Sequence, residues 1–182
     1  MCFLKALMNM KFQKIFFLLA LLIPNLSYCT ETLTRIAWIE MRDANGQIIQ
    51  LEPEMLYAHV AIQIGEQWLH AHPKHGVVLS DSAELQKTGV IREVWASDKE
   101  NDSYLDHVSF FVGREFDSEF SWTDEKIYCA ELIAKLLSIA PSPMHFDDKL
   151  WDPWFKKYEG LPGSSPSKLY SEVQRRGYER VF

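Results

Sequence analysis

Residues 57–72 constrain the fold more than any other stretch of the chain. From Tyr57 to Ile64, Ala58, Val60, Ile62 and Ile64 alternate with His59, Ala61 and Gln63. A period of two places successive side chains on opposite faces of a strand. Gly65-Glu66 then makes a tight reversal, and Gln67 to His72 returns, which is the pattern of an antiparallel hairpin. Trp68, His70 and His72 share one face of the return strand. A two-residue turn puts those even positions on the same side as His59. The hairpin therefore predicts His59 beside His70 or His72. Pro73 ends the strand, and Gly76 to Ser80 reads as a further short one.

The remaining pattern mixes strands and helices in one α+β domain, with no internal repeat and no composition shift that marks a second domain. Residues 33–41 read as a strand. Asp43 to Gly46 reads as a turn, and Gln47 to Leu51 as its return strand. Ser82 to Lys87 suits a short helix and Val90 to Ala96 a strand, while the polar residues 97–106 suit a loop running into a helix.

Leu132, Ile133, Leu136, Leu137 and Ala140 recur at helical spacing, with Cys129 at the N-terminal edge of that stripe. Pro141 and Pro143 stop the helix. Ser121 with Asp124 has the form of a capping box, which would place Cys129 well inside the helix. Asp152-Pro153 predicts a second helix start, ended by Gly160, with Trp151, Trp154, Phe155 and Tyr158 as an apolar stripe that forms core or one wall of a cleft. Ser165-Pro166 starts another helix, closed by Arg175, Arg176 and Gly177.

The start of the chain reads as an export signal. Lys5, Lys11 and Lys14 precede a nine-residue apolar run from Ile15 to Ile23, followed by Ser27-Tyr28-Cys29. Nine residues fall short of the ~20 that span a bilayer. Cleavage after Cys29, from a start at Met1 or Met10, is the expected processing. Lipidation at Cys29, the only expected route to the membrane, is disfavoured by the bulky Tyr28. Removal of residues 1–29 leaves 153 residues and takes the net charge from −6 to −9, with 16 basic against 25 acidic side chains. An acidic surplus argues against a nucleic-acid partner, whose phosphates call for a basic face.

Processing also removes Cys2 and Cys29 and leaves Cys129 as the sole thiol, a condition that is unusual in an oxidising compartment. A cysteine on an apolar helix face is ordinarily a small core residue. At a helix N-terminus beside an imidazole it becomes a nucleophile. On that reading His59 is the general base and His70 orients it, with His72 as the alternative. His70, His72 and His75 also allow a metal reading, because His-x-His presents two imidazoles on one strand face. No paired cysteines, His-Glu-x-x-His or acidic cluster completes such a site, so neither metal nor cofactor is expected. Tyr128 and Glu131 flank the cysteine and are expected in packing and helix-surface roles.

Two stretches resemble the circularly permuted papain-like hydrolases of the NlpC superfamily, of the YiiX/YaeF type. His59-Val-Ala-Ile-Gln-Ile-Gly65 and the following Leu69-His70-Ala71 with Gly76-Val77 are similar to the superfamily's His-Val-Gly-Ile-Tyr-x-Gly strand and the strand after it. Phe116-Asp117, Phe120 and Tyr128-Cys129-Ala130-Glu131-Leu132 are similar to the permuted families' Tyr-Asp…Phe…Tyr-Cys-Ser-Glu-Leu. Here His precedes Cys, the permuted order. Ala130 stands where the family has Ser, and His70 where many permuted members have Glu. The resemblance implies an antiparallel sheet or small barrel packed on helices, with the nucleophile at a helix N-terminus. It also implies Cys129, His59 and His70 as catalytic residues, the first as a thiolate paired with protonated His59. The implied activity is amide-bond hydrolysis through an acyl-enzyme in the cell envelope, on a small peptide or acyl substrate, with peptidoglycan stem peptides as first expectation. A lipid acyl hydrolase or acyltransferase of the same fold is the alternative, and a secreted binding domain without turnover is a further one. Oxyanion stabilisation falls to the Cys129 N–H and a second donor that the sequence does not identify.

Overall fold

The computed structural model describes residues 33–100 and 102–182. The export signal, its processing at Cys29 and the choice of Met1 or Met10 lie outside the described residues.

Apolar continuity along Ile36-Ala37-Trp38-Ile39 suits a strand covered on both faces, and β1 (Thr34–Glu40) is buried almost throughout. It pairs antiparallel with β2 (His59–Ile64) on one side and β5 (Val90–Ser97) on the other. The hairpin forms as its pattern predicts. Gly65 takes φ +59°, a left-handed turn conformation, and β3 (Gln67–His72) returns with Ile62 opposite Leu69. β4 (Gly76–Ser80) adds to β3, and β10 (Glu179–Arg180) adds to β5. The order is β10-β5-β1-β2-β3-β4, an open six-stranded antiparallel sheet rather than a closed barrel.

Period-two alternation sorts the two faces. Ile36, Trp38, Val60, Ile62, Leu69 and Ala71 join one cluster. On that face pack Leu132 and Ile133 of α3 (Cys129–Leu136) and Leu169 and Val173 of α4 (Pro166–Arg175). Each such side chain, fully buried, contributes about 1.5–3 kcal/mol. Ala37, Ile39, Ala61 and Trp68 line the opposite face beneath Leu85 of α1 (Ser82–Thr88). A second short helix, α2 (Leu105–Phe111), follows a 3₁₀ turn at Asp102–Tyr104. Residue pairs β6 (Glu115–Phe116) with β7 (Lys126–Ile127), and β8 (Ser142–Pro143) with β9 (Pro162–Gly163), tie down the loops around α3.

Three expectations are corrected. Gln47 to Leu51 forms no strand. Asp43 holds the turn by accepting from the N–H groups of Asn45 and Gln47, and beyond it Arg42 and Ile48 meet only in an isolated bridge. Ser121 does not cap α3, because its N–H and hydroxyl both donate to Asp117 at 2.7 Å. The helix starts at Cys129, as the resemblance implied. The turn after Asp152 is 3₁₀ over Pro153–Tyr158 rather than α, although Asp152 caps it by accepting from Trp154 N–H at 2.8 Å.

Candidate active site

The N-terminus of α3 is built by its own sequence. Tyr128 is extended (φ −100°, ψ 168°) and its N–H donates to the Glu131 carboxylate three residues on, at 3.2 Å. This satisfies one donor that a helix start leaves open. Glu131 is fully buried, not on the helix surface as expected, and its second oxygen meets Lys135 Nζ at 2.8 Å. Burial pushes its carboxyl up to about 7 against the pull of Lys135.

Cys129 is thereby the first residue of the helix, with its thiol 6 % exposed. The β2–β3 ladder ends at Ile62↔Leu69, and the thiol lies against the β2 backbone beyond that point. Sγ is 3.9 Å from the Ala58 carbonyl oxygen, and the N–H groups of Val60 and Ala130 lie near enough to favour its thiolate form. Cys129 thus touches both chain neighbours of His59. Burial pushes the thiol up to about 11, and the three backbone N–H groups around it, its own included, pull the other way.

His59 and His70 are brought together as the hairpin predicts. His59 Nε2 and His70 Nδ1 are 2.9 Å apart, diagonally across the parted strands. His70 Nε2 is 2.9 Å from Ser80 Oγ on β4. One direction of donation satisfies both contacts and leaves His59 basic. In that direction His59 Nε2–H donates to His70 and His70 Nε2–H donates to Ser80, which puts the lone pair of His59 on Nδ1; the reverse direction, Ser80 to His70 to His59, satisfies the same contacts. Both rings are nearly inaccessible. Burial, reinforced by the neighbouring imidazoles, pulls His59 down to about 3 and His70 down to about 4. No hydrogen bond joins Cys129 to His59; the thiol's contact is the Ala58 carbonyl. Burial favours the neutral form of both groups.

His72 makes none of these hydrogen bonds, although its ring stands edge-on to that of His70, centroids 6.0 Å apart. Its Nδ1 accepts from Lys74 N–H at 3.0 Å and its ring stacks on His75, centroids 4.6 Å apart. Ser80 was missed in the sequence, although its register was legible. Even positions on β3 pair with even positions on β4, so Ser80 shares a face with His70.

A narrow slot opens beside the thiol, with a cavity volume of about 20 Å³. Its walls include Leu51, Phe120, Met144 and Trp151. Phe120 takes φ +55°, a left-handed conformation that a bulky side chain rarely adopts. Buried Asp117 fixes that loop by accepting from Glu119 and Ser121, and the Phe120 ring rests 5.2 Å from those of Tyr128 and Trp151. Tyr128 hydroxyl accepts from Ser164 N–H at 2.7 Å, which anchors the cleft's far side.

No protein-family model matches the chain, and no curated protein matches it. Among solved structures the chain is similar to the crystal structure of metalloprotein yiiX from Escherichia coli O157:H7, DUF1105. The TM-score is 0.60 at 16 % identity, over 82 % of this chain and 95 % of that one. The α+β fold, a mostly antiparallel sheet with a few helices, is therefore one that this chain shares with yiiX.

Proposed function

We infer that the protein is a cysteine acyl hydrolase of circularly permuted papain-like type. The observation that carries this reading is the thiol of Cys129, held at a helix N-terminus against both chain neighbours of a histidine whose ring is oriented through His70 to Ser80. On this reading His59 takes the Cys129 proton as sulfur attacks the acyl carbon. The tetrahedral oxyanion is stabilised by the Cys129 N–H at the helix start. His59 then protonates the departing amine or alcohol, and water releases the acyl group with the proton flow reversed. Amide cleavage in an exported setting, with stem peptides as substrate, rests on the resemblance and the export signal.

The yiiX protein is described as a metalloprotein, which raises the imidazoles of this chain as possible ligands. They do not fit. His59 Nε2 and His70 Nδ1 are spent on each other, and His70 Nε2 on Ser80. His72 and His75 remain, stacked, and among the described residues no group of three His, Cys, Asp or Glu gathers at ligating distance. Even an open catalytic zinc site takes three protein ligands.

Acyl capture tests the reading. An activated acyl probe is expected to leave a single acyl adduct on Cys129, found by peptide mass spectrometry. His59→Ala is expected to slow capture about 10²–10⁴-fold, the usual weight of a general base. Absence of an adduct, or capture indifferent to His59, removes the enzyme assignment.

A further inference from the structure

His59, His70 and Ser80 form one chain of two hydrogen bonds, each 2.9 Å long. All three residues are buried, and burial favours the neutral imidazoles. A neutral imidazole carries one N–H and one lone pair, so the two bonds cannot be set independently. If Ser80 accepts from His70 Nε2–H, then His70 Nδ1 accepts from His59 Nε2–H, and the lone pair of His59 is on Nδ1. If Ser80 donates, each ring carries its hydrogen on the other nitrogen. His70 Nδ1–H then donates to His59 Nε2, and His59 Nδ1 is protonated. The direction taken by the Ser80 hydroxyl thus decides, two rings away, which nitrogen of His59 is basic.

That hydroxyl is firmly placed. Ser80 ends β4, opposite Trp68 of β3. The next residue, Asp81, caps α1 by accepting from Glu84 N–H at 2.8 Å, and Trp68 Nε1 donates to Ser82 Oγ at 3.1 Å. Leu85 of α1 is fully buried against the same sheet face as Trp68. A paired strand before Ser80 and a capped helix after it fix its backbone. Among the described residues, Ser80 is the one hydrogen-bond partner of His70 Nε2.

We propose that Ser80 is a positioning residue, which accepts from His70 and thereby holds His59 in the tautomer with its lone pair on Nδ1. This rests on the reading of His59 as general base, for which Nδ1 is the free nitrogen because Nε2 is spent on His70. Without the hydroxyl, His70 Nε2–H would be a buried donor with no acceptor. The ring is then expected to carry its hydrogen on Nδ1, where His59 accepts it, and His59 presents an N–H in place of a base.

The tautomers are read by two-bond proton–nitrogen correlation NMR on histidine-labelled protein at about pH 7. The natural chain is expected to show His59 protonated on Nε2, Ser80→Ala on Nδ1, and Ser80→Thr, which keeps a hydroxyl, on Nε2 again. Acyl capture at Cys129 is expected to fall at least about tenfold in Ser80→Ala and to recover in Ser80→Thr, as loss and return of a general base would make it. Should Ser80→Ala not fold, Ser80→Val carries the same expectation, because Val and Thr share a shape and differ in the hydroxyl. A natural chain with His59 protonated on Nδ1 overturns the proposal. So does a tautomer that survives loss of the hydroxyl, even where the melting temperature falls, since that marks a merely structural contact. Failed capture with responsive tautomers removes the hydrolase reading and leaves the control of His59 by Ser80 standing.

Discussion

Cys129 and His59 show how burial redirects a familiar pair. In water a thiol and an imidazole differ by about two pKa units. Here burial moves the thiol up to about 11 and His59 down to about 3, so the neutral forms dominate at rest. Alkylation of Cys129 by iodoacetamide is therefore expected to climb with pH through 8 to 10 without a plateau near neutrality. A rate that levels off by pH 7 would reveal a resting ion pair instead. The same two histidines set the acid limit of the fold. Their folded pKa values lie below the ordinary 6.5, so the unfolded chain binds more protons as pH falls beneath that value. The stability that they contribute is whole above about pH 6.5 and drains as pH falls toward 4 and 3. Glu131, raised to about 7, acts in the opposite sense, its charging costing stability as pH rises from 4.5. Melting temperature against pH is expected to drop more steeply below 6.5 in the natural chain than in His70→Gln; parallel curves would show that His70 does not drive the loss.

At the scale of elements, the hairpin and the helix were legible because each has a strong period, and the cleft was not. Alternation along Tyr57–Ile64 and the Gly65 turn dictate which histidine meets which, so the His59–His70 contact follows from parity. The first residue of α3 was ambiguous in the sequence, since Ser121 and Asp124 satisfy a capping pattern equally well. What decides it is Asp117, which claims both Ser121 donors for a turn, and no local pattern announces that competition. Ser164 lies 35 residues from Cys129 in the chain and meets it only through tertiary packing. Gly163 next to it is a sharp test. A Cβ there would run into the Met144 side chain and come within 3.0 Å of the Tyr128 hydroxyl. Gly163→Ala is expected to push the loop off Tyr128, costing about 1–3 kcal/mol as overpacking does. Acyl capture should fall even where circular dichroism shows a folded chain. Unchanged capture would mean that the loop yields without moving the cleft.

For the whole molecule, the sheet is the frame on which the distant parts of the site meet. β1 and β5 anchor it, β2 and β3 hold the imidazoles, and α3 lays the cysteine against β2 across its apolar stripe. What composition alone could not give is the interior. A Glu at position 131, read as solvent-facing from its type, proves fully buried because Lys135 follows it by one turn and screens it.

The site also carries a timing consequence. Cys129 and the β2 backbone that it touches stand far apart in the chain, and the sheet that joins them is completed by strand pairings such as β5 on β1, with α4 docking over the same face. Closing such long loops precedes the reward of the contacts, so chains of this topology fold slowly, in milliseconds to seconds. A ribosome-bound stretch that has emerged only through Cys129 carries the thiol without its cleft. In refolding from denaturant, protection of the Cys129 thiol from a fast alkylating reagent is expected to arrive with the slowest phase of tryptophan fluorescence. Protection ahead of that phase would mean that helix and hairpin assemble as an independent unit.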